Sequence, residues 1–210
     1  MHTGKLITFE GGEGSGKSTH IALLEAALIE RGYPVLVVRE PGGTELGEAI
    51  RAILLSRAHD QMSPLAELLL YEAARTQIVS QVIAPALAAG TVVLCDRFID
   101  STVAYQGFGR GLDRAMIDHL NTVASAGIKP DVTLIFDVPV EDGLRRAARK
   151  GAPDRLESQD RTFHEAVRAG FADLAAAEPD RIHLLDATRD KDVVAAEVTS
   201  LVEAVLDRVR

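Results

Sequence analysis

The chain has 210 residues, 47% hydrophobic and 26% charged, enough to bury one substantial core in a single globular domain. Its formal net charge of -8 argues against a general polyanion binder, because affinity for nucleic-acid phosphates rests on clustered Lys and Arg. No run approaches the roughly 20 apolar residues that span a bilayer, the opening MHTGKLITFE lacks a secretory apolar region, and the single Cys95 excludes an internal disulfide framework, so the expectation is a cytoplasmic protein.

In chain order, KLITFE (5–10) is an apolar run without strict alternation, the pattern of a strand buried on both faces. Residues 17–31 carry Ile21, Leu24 and Leu28 at helical spacing, and Gly32 stops the run. PVLVVR (34–39) is the second strand, and REPGGT follows it with Arg39, Glu40 and a glycine turn. A long helical pattern runs from Ser63 to Ala89, opening on Ser-Pro as cap and first turn and closing at Gly90. TVVLCD (91–96), DVTLIFD (131–137) and RIHLLD (181–186) supply the remaining strands. A last helix spans about Asp190 to Arg208, with Val194, Val198, Leu201, Val205 and Val209 as its apolar stripe. Strands alternating with helices predict a doubly wound α/β domain, a five-stranded parallel sheet flanked by helices.

The segment FEGGEGSGKST (9–19) places four glycines between the first strand and the first helix. Gly11, Gly16, Lys17 and Ser18 fit G-x-x-x-x-G-K-[ST], and the strand-before, helix-after setting is the one this motif requires. Backbone N–H groups from Gly11, Gly12, Glu13, Gly14, Ser15 and Gly16, with the helix start at Lys17, Ser18 and Thr19, can then surround the phosphates of ATP. Lys17 neutralises β- and γ-phosphate charge, and Ser18 is suited to Mg²⁺. Asp96 and Arg97 end a buried strand at the carboxyl edge, where open α/β sheets bind ligands. Asp96 suits Mg²⁺ through water, and Arg97 a second phosphate.

FEGGEGSGKST, REPGGTELGEAIR, DRFIDSTVAYQGFGRG, KPDVTLIFDVP and DRLE stand in the order and approximate spacing of the bacterial thymidylate kinases, and the chain resembles that family over essentially its whole length. The resemblance implies Mg²⁺-dependent transfer of the ATP γ-phosphoryl to thymidine monophosphate (dTMP), usually by a homodimer, while the acidic charge and the lack of a long apolar run point to no nucleic-acid and no membrane partner. It also implies a substrate site: Arg51 and Arg97 at the acceptor phosphate, Tyr71 stacked on thymine and Arg75 at a base oxygen. Ser101, Thr102 and Gln106 line the thymine pocket, Tyr105 lies beneath the sugar, Glu13 stands near its 3′-hydroxyl, and Glu40 joins the substrate-binding set.

Some family members carry an arginine inside the P-loop where this chain has Gly14. LRRAARKGAPDRLE resembles the family's lid, about residues 143–157, and Arg149, Lys150 and Arg155 are its candidate catalytic cations. LLDATRD resembles the loop against which the adenine rests, where Arg189 either stacks on the ring or faces water. The alternatives are another nucleoside monophosphate kinase, or a P-loop ATPase switch.

Overall fold

A computed structural model describes residues 4–149 and 151–207. Five strands form one all-parallel sheet in the order β2-β3-β1-β4-β5: β1 Lys5–Glu10, β2 Val35–Arg39, β3 Val92–Asp96, β4 Val132–Asp137 and β5 Ile182–Asp186. Each lies within one residue of its apolar run in the sequence. The central position of β1 sets the site, because the chain leaves its carboxyl end between β3 and β4, where the strand order reverses and a crevice opens.

Strand burial is less uniform than the apolar runs imply. The central β1, β3 and β4 are buried almost throughout, whereas the edge strands expose Val37 and Leu184. A strand with a neighbour on one side only leaves part of its surface to water, whatever its composition.

Helix α1 (Lys17–Glu30) and α9 (Lys191–Asp207) cover one face, with Ile21, Leu24, Leu28, Val194, Val198 and Val202 packed on Phe9, Leu94 and Phe136. The fully buried stripe of α9 is Val194, Val198, Val202 and Leu206; Leu201 and Val205 lie beside it, partly buried. The sequence stripe was thus displaced by one residue along its second half, since a 3.6-residue period admits both i+3 and i+4 steps. Val209 and Arg208 lie outside the described residues.

The other face carries α2 (Glu45–Leu55), α3 (Pro64–Ile78), α4 (Ala84–Ala88), α5 (Ile99–Thr102), α6 (Arg114–Ala124), α7 (Val140–Ala147) and α8 (Arg161–Ala177). The long pattern at 63–89 is not one regular helix. Ser63 caps α3 as expected, its side chain accepting from Ala66 N, but a π-helical turn at Val79–Ile83 separates α3 from α4. A second π-helical stretch, Val103–Gly109, continues α5 and turns Tyr105 and Gln106 inward. No helix among the described residues is long and apolar enough to cross a membrane.

Candidate active site

The glycine loop leaves β1 at Gly11 and enters α1 at Lys17. Gly14 (φ 63°) and Gly16 (φ 101°) adopt left-handed backbone that side chains disfavour. Gly14 is also sterically closed: a Cβ there would come 2.2 Å from the Gly143 carbonyl oxygen and 3.0 Å from the Arg146 Cβ. Helix α7 therefore packs on the loop, and this packing leaves position 14 no room for a side chain.

Lys17 is buried at 8% exposure rather than standing on an open helix end, and its Nζ donates to Gly11 O at 3.1 Å and Gly12 O at 3.0 Å. Burial, reinforced by Arg97, lowers its pKa to about 8. Ser18 Oγ lies 3.4 Å from Asp96 Oδ2 across the groove. The residues from Glu13 to Thr19, with Arg39, Glu40, Arg51, Asp96 and Arg97, line this groove of about 750 Å³.

Arg97 follows β3 with φ 71°, a left-handed conformation unusual for a residue with a side chain. The turn is held by Arg97 N donating to Phe9 O at 3.0 Å and Phe98 N donating to Glu10 Oε1 at 2.7 Å. It swings the guanidinium back over the glycine loop, where Nη1 donates to Gly11 O and Ser101 Oγ and Nη2 to Glu13 Oε1 at 2.7 Å. Glu10, wholly buried at the end of β1, also accepts from the backbone and hydroxyl of Ser101, tying β1 to α5. Burial and then Asp100 raise its pKa to about 7. Burial alone would raise Glu13 too, but Arg97 and Lys17 outweigh it and hold that carboxyl at about 2.

A second cleft of about 550 Å³ adjoins the groove. Its walls include Tyr71, Arg75, Phe98, Ser101, Thr102, Tyr105 and Gln106, and it shares Glu13, Glu40, Arg51 and Arg97 with the groove. Arg75 is 2% exposed, its Nε donating to Glu40 Oε2 at 2.8 Å and its Nη1 to both Glu72 oxygens and to Asn121 Oδ1 at 2.7 Å. Its Nη2 has no partner among the described residues. Tyr105 donates its hydroxyl to Glu13 Oε1 at 2.8 Å and lies under the Arg97 guanidinium, 4.9 Å from ring centroid to Cζ. Arg51 donates to Pro41 O at 2.9 Å from the rim.

The glycine loop, Asp96 and Arg97 thus meet one groove, and every acceptor-side residue named from the sequence lines the adjoining cleft. A match to the family model described as thymidylate kinase spans residues 9–198. The chain belongs to the thymidylate kinase family. A thymidylate kinase of Deinococcus radiodurans is 50% identical over 202 residues, covering 96% of this chain and 98% of the relative. One from a Synechococcus strain is 55% identical over 197 residues, covering 94% and 93%. The crystal structure of thymidylate kinase from Ehrlichia chaffeensis superposes with a TM-score of 0.79 at 37% identity, covering 95% of this chain and 98% of that one. As a thymidylate kinase family member the chain is a phosphotransferase, a kinase of nucleotide biosynthesis.

The lid cations separate in the structure. Arg155 is not available as a mobile charge: it is 1% exposed, with Nη1 paired to Glu67 Oε2 at 2.6 Å and Nε donating to Leu54 O at 2.7 Å. Its backbone N also donates to Leu55 O, so the DRLE segment is pinned to the end of α2. Arg149 is exposed, and Lys150 lies outside the described residues. Arg189 is an ion-pair partner of Glu197 on α9 and donates from Nε to Asp186 O at 3.2 Å.

Sequence reasoning passed over Glu10, Glu67, Glu72 and Asn121. Glu67, Leu68, Tyr71, Glu72 and Arg75 recur at three- and four-residue steps, so acids inside an apolar helix face were the available signal. Arg146 belongs to the basic run LRRAARKGAPDRLE, but its place beside Gly14 emerges only from the packing of α7 on the glycine loop.

Proposed function

We infer that the chain transfers the γ-phosphoryl of ATP to dTMP, giving ADP and thymidine diphosphate. The observation that carries this reading is the junction of two unlike cavities, a groove built from phosphate-binding backbone and a cleft walled by aromatic and hydrogen-bonding side chains, which meet at Arg51 and Arg97. A monophosphate whose base fills the cleft brings its phosphate to that junction. An oxygen of the acceptor phosphate forms the new bond to the γ-phosphorus as the bond to the β-phosphate bridging oxygen breaks, and ADP carries away the electron pair.

Little covalent chemistry is asked of the protein, so positioning and charge stabilisation dominate. Lys17 serves the donor phosphates and exchanges its two carbonyl contacts for stronger charge-assisted ones. Arg51 and Arg97 grip the acceptor phosphate. Tyr71 stacks on thymine, Phe98 backs Arg75 at 5.3 Å, and the free Nη2 of Arg75 donates to a base carbonyl. Thr102 and Ser101 line the base pocket, and Tyr105, fixed by Glu13, underlies the sugar.

Ser18 Oγ and Asp96 Oδ2, two oxygens on facing walls of the groove, fit Mg²⁺, which keeps several waters and takes few protein ligands beside substrate phosphates. When bound, the ion offsets charge across the β- and γ-phosphates. The lid lies within residues 143–157, ahead of the pinned DRLE segment, with Arg146, beside Gly14, and Arg149 as cations for the transferring group; Lys150 belongs to the same proposal. Arg189 borders the adenine site. Leu46, Ile53, Leu65 and Leu69 on α2 and α3 are exposed apolar residues and support homodimer formation through that face. A cytoplasmic place suits such an enzyme.

The test is ADP release by the purified chain with ATP, Mg²⁺ and a panel of nucleoside monophosphates. Turnover should require an added monophosphate and be fastest with dTMP. Turnover without any monophosphate would favour an ATPase switch, and a preference for cytidine monophosphate another kinase.

A further inference from the structure

We propose that Glu67 fixes the orientation of the Gln106 side-chain amide and thereby selects a pyrimidine that carries a proton on N3. The proposal rests on the reading of the adjoining cleft as the dTMP site. Glu67 is 0% exposed, near the start of α3, and its carboxylate collects four donors: Gln106 Nε2 at 2.8 Å and Arg110 Nε at 3.1 Å on Oε1, Arg110 Nη2 at 3.0 Å and Arg155 Nη1 at 2.6 Å on Oε2. Burial opposes ionisation, but the bonds from Arg110 and Gln106 outweigh it and keep Glu67 below the usual carboxylate range. An ionised carboxylate can only accept. Gln106 must therefore point its NH₂ at Glu67.

The rest follows from the geometry of a primary amide. With its NH₂ committed, Gln106 has its Oε1 left over; that atom receives no hydrogen bond among the described residues, and Gln106 lines the cleft. Among the polar groups of the cleft, Gln106 Oε1 is thus fixed as an acceptor and Arg75 Nη2 as a donor, beside hydroxyls such as those of Ser101 and Thr102, which can turn to donate or accept. Thymine offers the complement, an N3–H donor beside a carbonyl acceptor. Cytosine offers the reverse, a lone pair on N3 beside an amino group, and would set like against like at both points. Glu67 lies outside the residues that line the cleft. It is a positioning residue, and Arg155, one of the two arginines bonded to it, joins it to the base of the lid.

The decisive variant is Glu67→Gln. In it the remaining carbonyl oxygen is best placed toward the two donors on Oε2, Arg110 Nη2 and Arg155 Nη1, which turns the new NH₂ toward Gln106, at the cost of the Arg110 Nε bond, and drives the Gln106 amide to flip. The experiment measures kcat/KM for dTMP and for deoxycytidine monophosphate with saturating ATP and Mg²⁺. Glu67→Gln should reduce the ratio of the two by about tenfold or more, the scale expected when a hydrogen-bonding site loses its match. Gln106→Met, which removes the acceptor but leaves Glu67 in place, should reduce it similarly, and the double variant should fall no further than Gln106→Met alone. A folded Glu67→Gln enzyme with lower rates but the wild-type ratio would overturn the proposal, as would independent, multiplying losses in the double variant.

Glu67→Gln removes charge from a buried node and can fail to fold. Hydrogen exchange of the Gln106 side-chain amide, followed by ¹⁵N NMR in the wild type, then decides. Strong protection supports the bond to Glu67, and exchange at the rate of a free amide overturns it. A wild-type enzyme that does not prefer dTMP would instead refute the assignment of the cleft, a result separate from any effect of Glu67.

Discussion

Arg97 and Glu13 clasp across the mouth of the cleft, Nη2 to Oε1 at 2.7 Å, and join the end of β3 to the glycine loop of β1. Both side chains are largely shielded, at 16% and 21% exposure, so the pair feels less solvent screening than a surface pair. It holds the two halves of the site in register before either substrate arrives.

This pair gives a pH prediction. Burial works against the Glu13 charge, yet Arg97 and Lys17 bring its pKa in the folded protein to about 2 from 4.5. A depressed carboxylate pKa contributes stability that is fully present above 4.5 and is lost as pH falls toward 2. Glu13→Gln lacks that contribution. Urea denaturation of both proteins should show the variant less stable at pH 6, with the gap closing as pH is lowered through this window. A gap independent of pH would show that the Glu13 charge is not coupled to folding.

Lys17→Ala should lower kcat by about 10² to 10³, the loss typical when a charge aimed at a transition state is removed. Burial holds Lys17 at about 8 in the free protein. The wild-type kcat/KM for ATP, which reports the free enzyme, should therefore decline as pH rises through about 8, and the variant should lack that limb. Near-normal activity in a soluble variant would remove Lys17 from the mechanism.

Arg75 serves stability and selectivity together. Arg75→Ala strands Glu40 and Glu72, both buried, and should cost about 3–5 kcal/mol in thermal or urea unfolding. Arg75→Lys keeps a cation for those acids but loses the planar fork that offers Nη2 to the base. It should remain folded while narrowing the preference for dTMP over deoxycytidine monophosphate, read as the ratio of kcat/KM values. An unchanged ratio would take Arg75 out of base recognition.

The parts of the molecule legible in the sequence are those with local causes. The five strands are bounded apolar runs, and the glycine loop is a local motif between strand and helix. Long-range pairing was not legible. Arg75 meets Glu40 and Asn121 across 35 and 46 positions, and nothing in the helix period of α3 says which side chain on the far side answers a buried charge. The same holds for Arg155. Its place in a basic run resembling the lid made it a candidate catalytic cation, but Glu67 and the Leu54 carbonyl, brought near by the packing of α2 and α3, draw it inward. The π-helical turns also escaped notice, since apolar spacing averages over a single inserted residue.

That difference between the basic residues yields a prediction about the lid. Arg155 is buried against Glu67, whereas Arg149 is exposed and has no ion pair among the described residues. Arg155→Ala should therefore destabilise the fold by about 3 kcal/mol or more, because it removes one of the two arginines on a buried carboxylate and leaves the Leu54 carbonyl without its donor. Arg149→Ala combined with Lys150→Ala should leave the melting temperature nearly unchanged. If these cations meet the transferring phosphoryl only when the lid closes, the double variant should lower kcat at least about tenfold, roughly 1.4 kcal/mol, with both Michaelis constants nearly constant. Arg146→Ala supplies the comparison, since its Cβ already lies beside Gly14 and its charge needs less movement to reach the phosphates. A larger loss in Arg146→Ala than in the double variant would assign the main catalytic charge to α7 itself. Full activity in all of these variants would leave the lid's basic residues as a solvated surface.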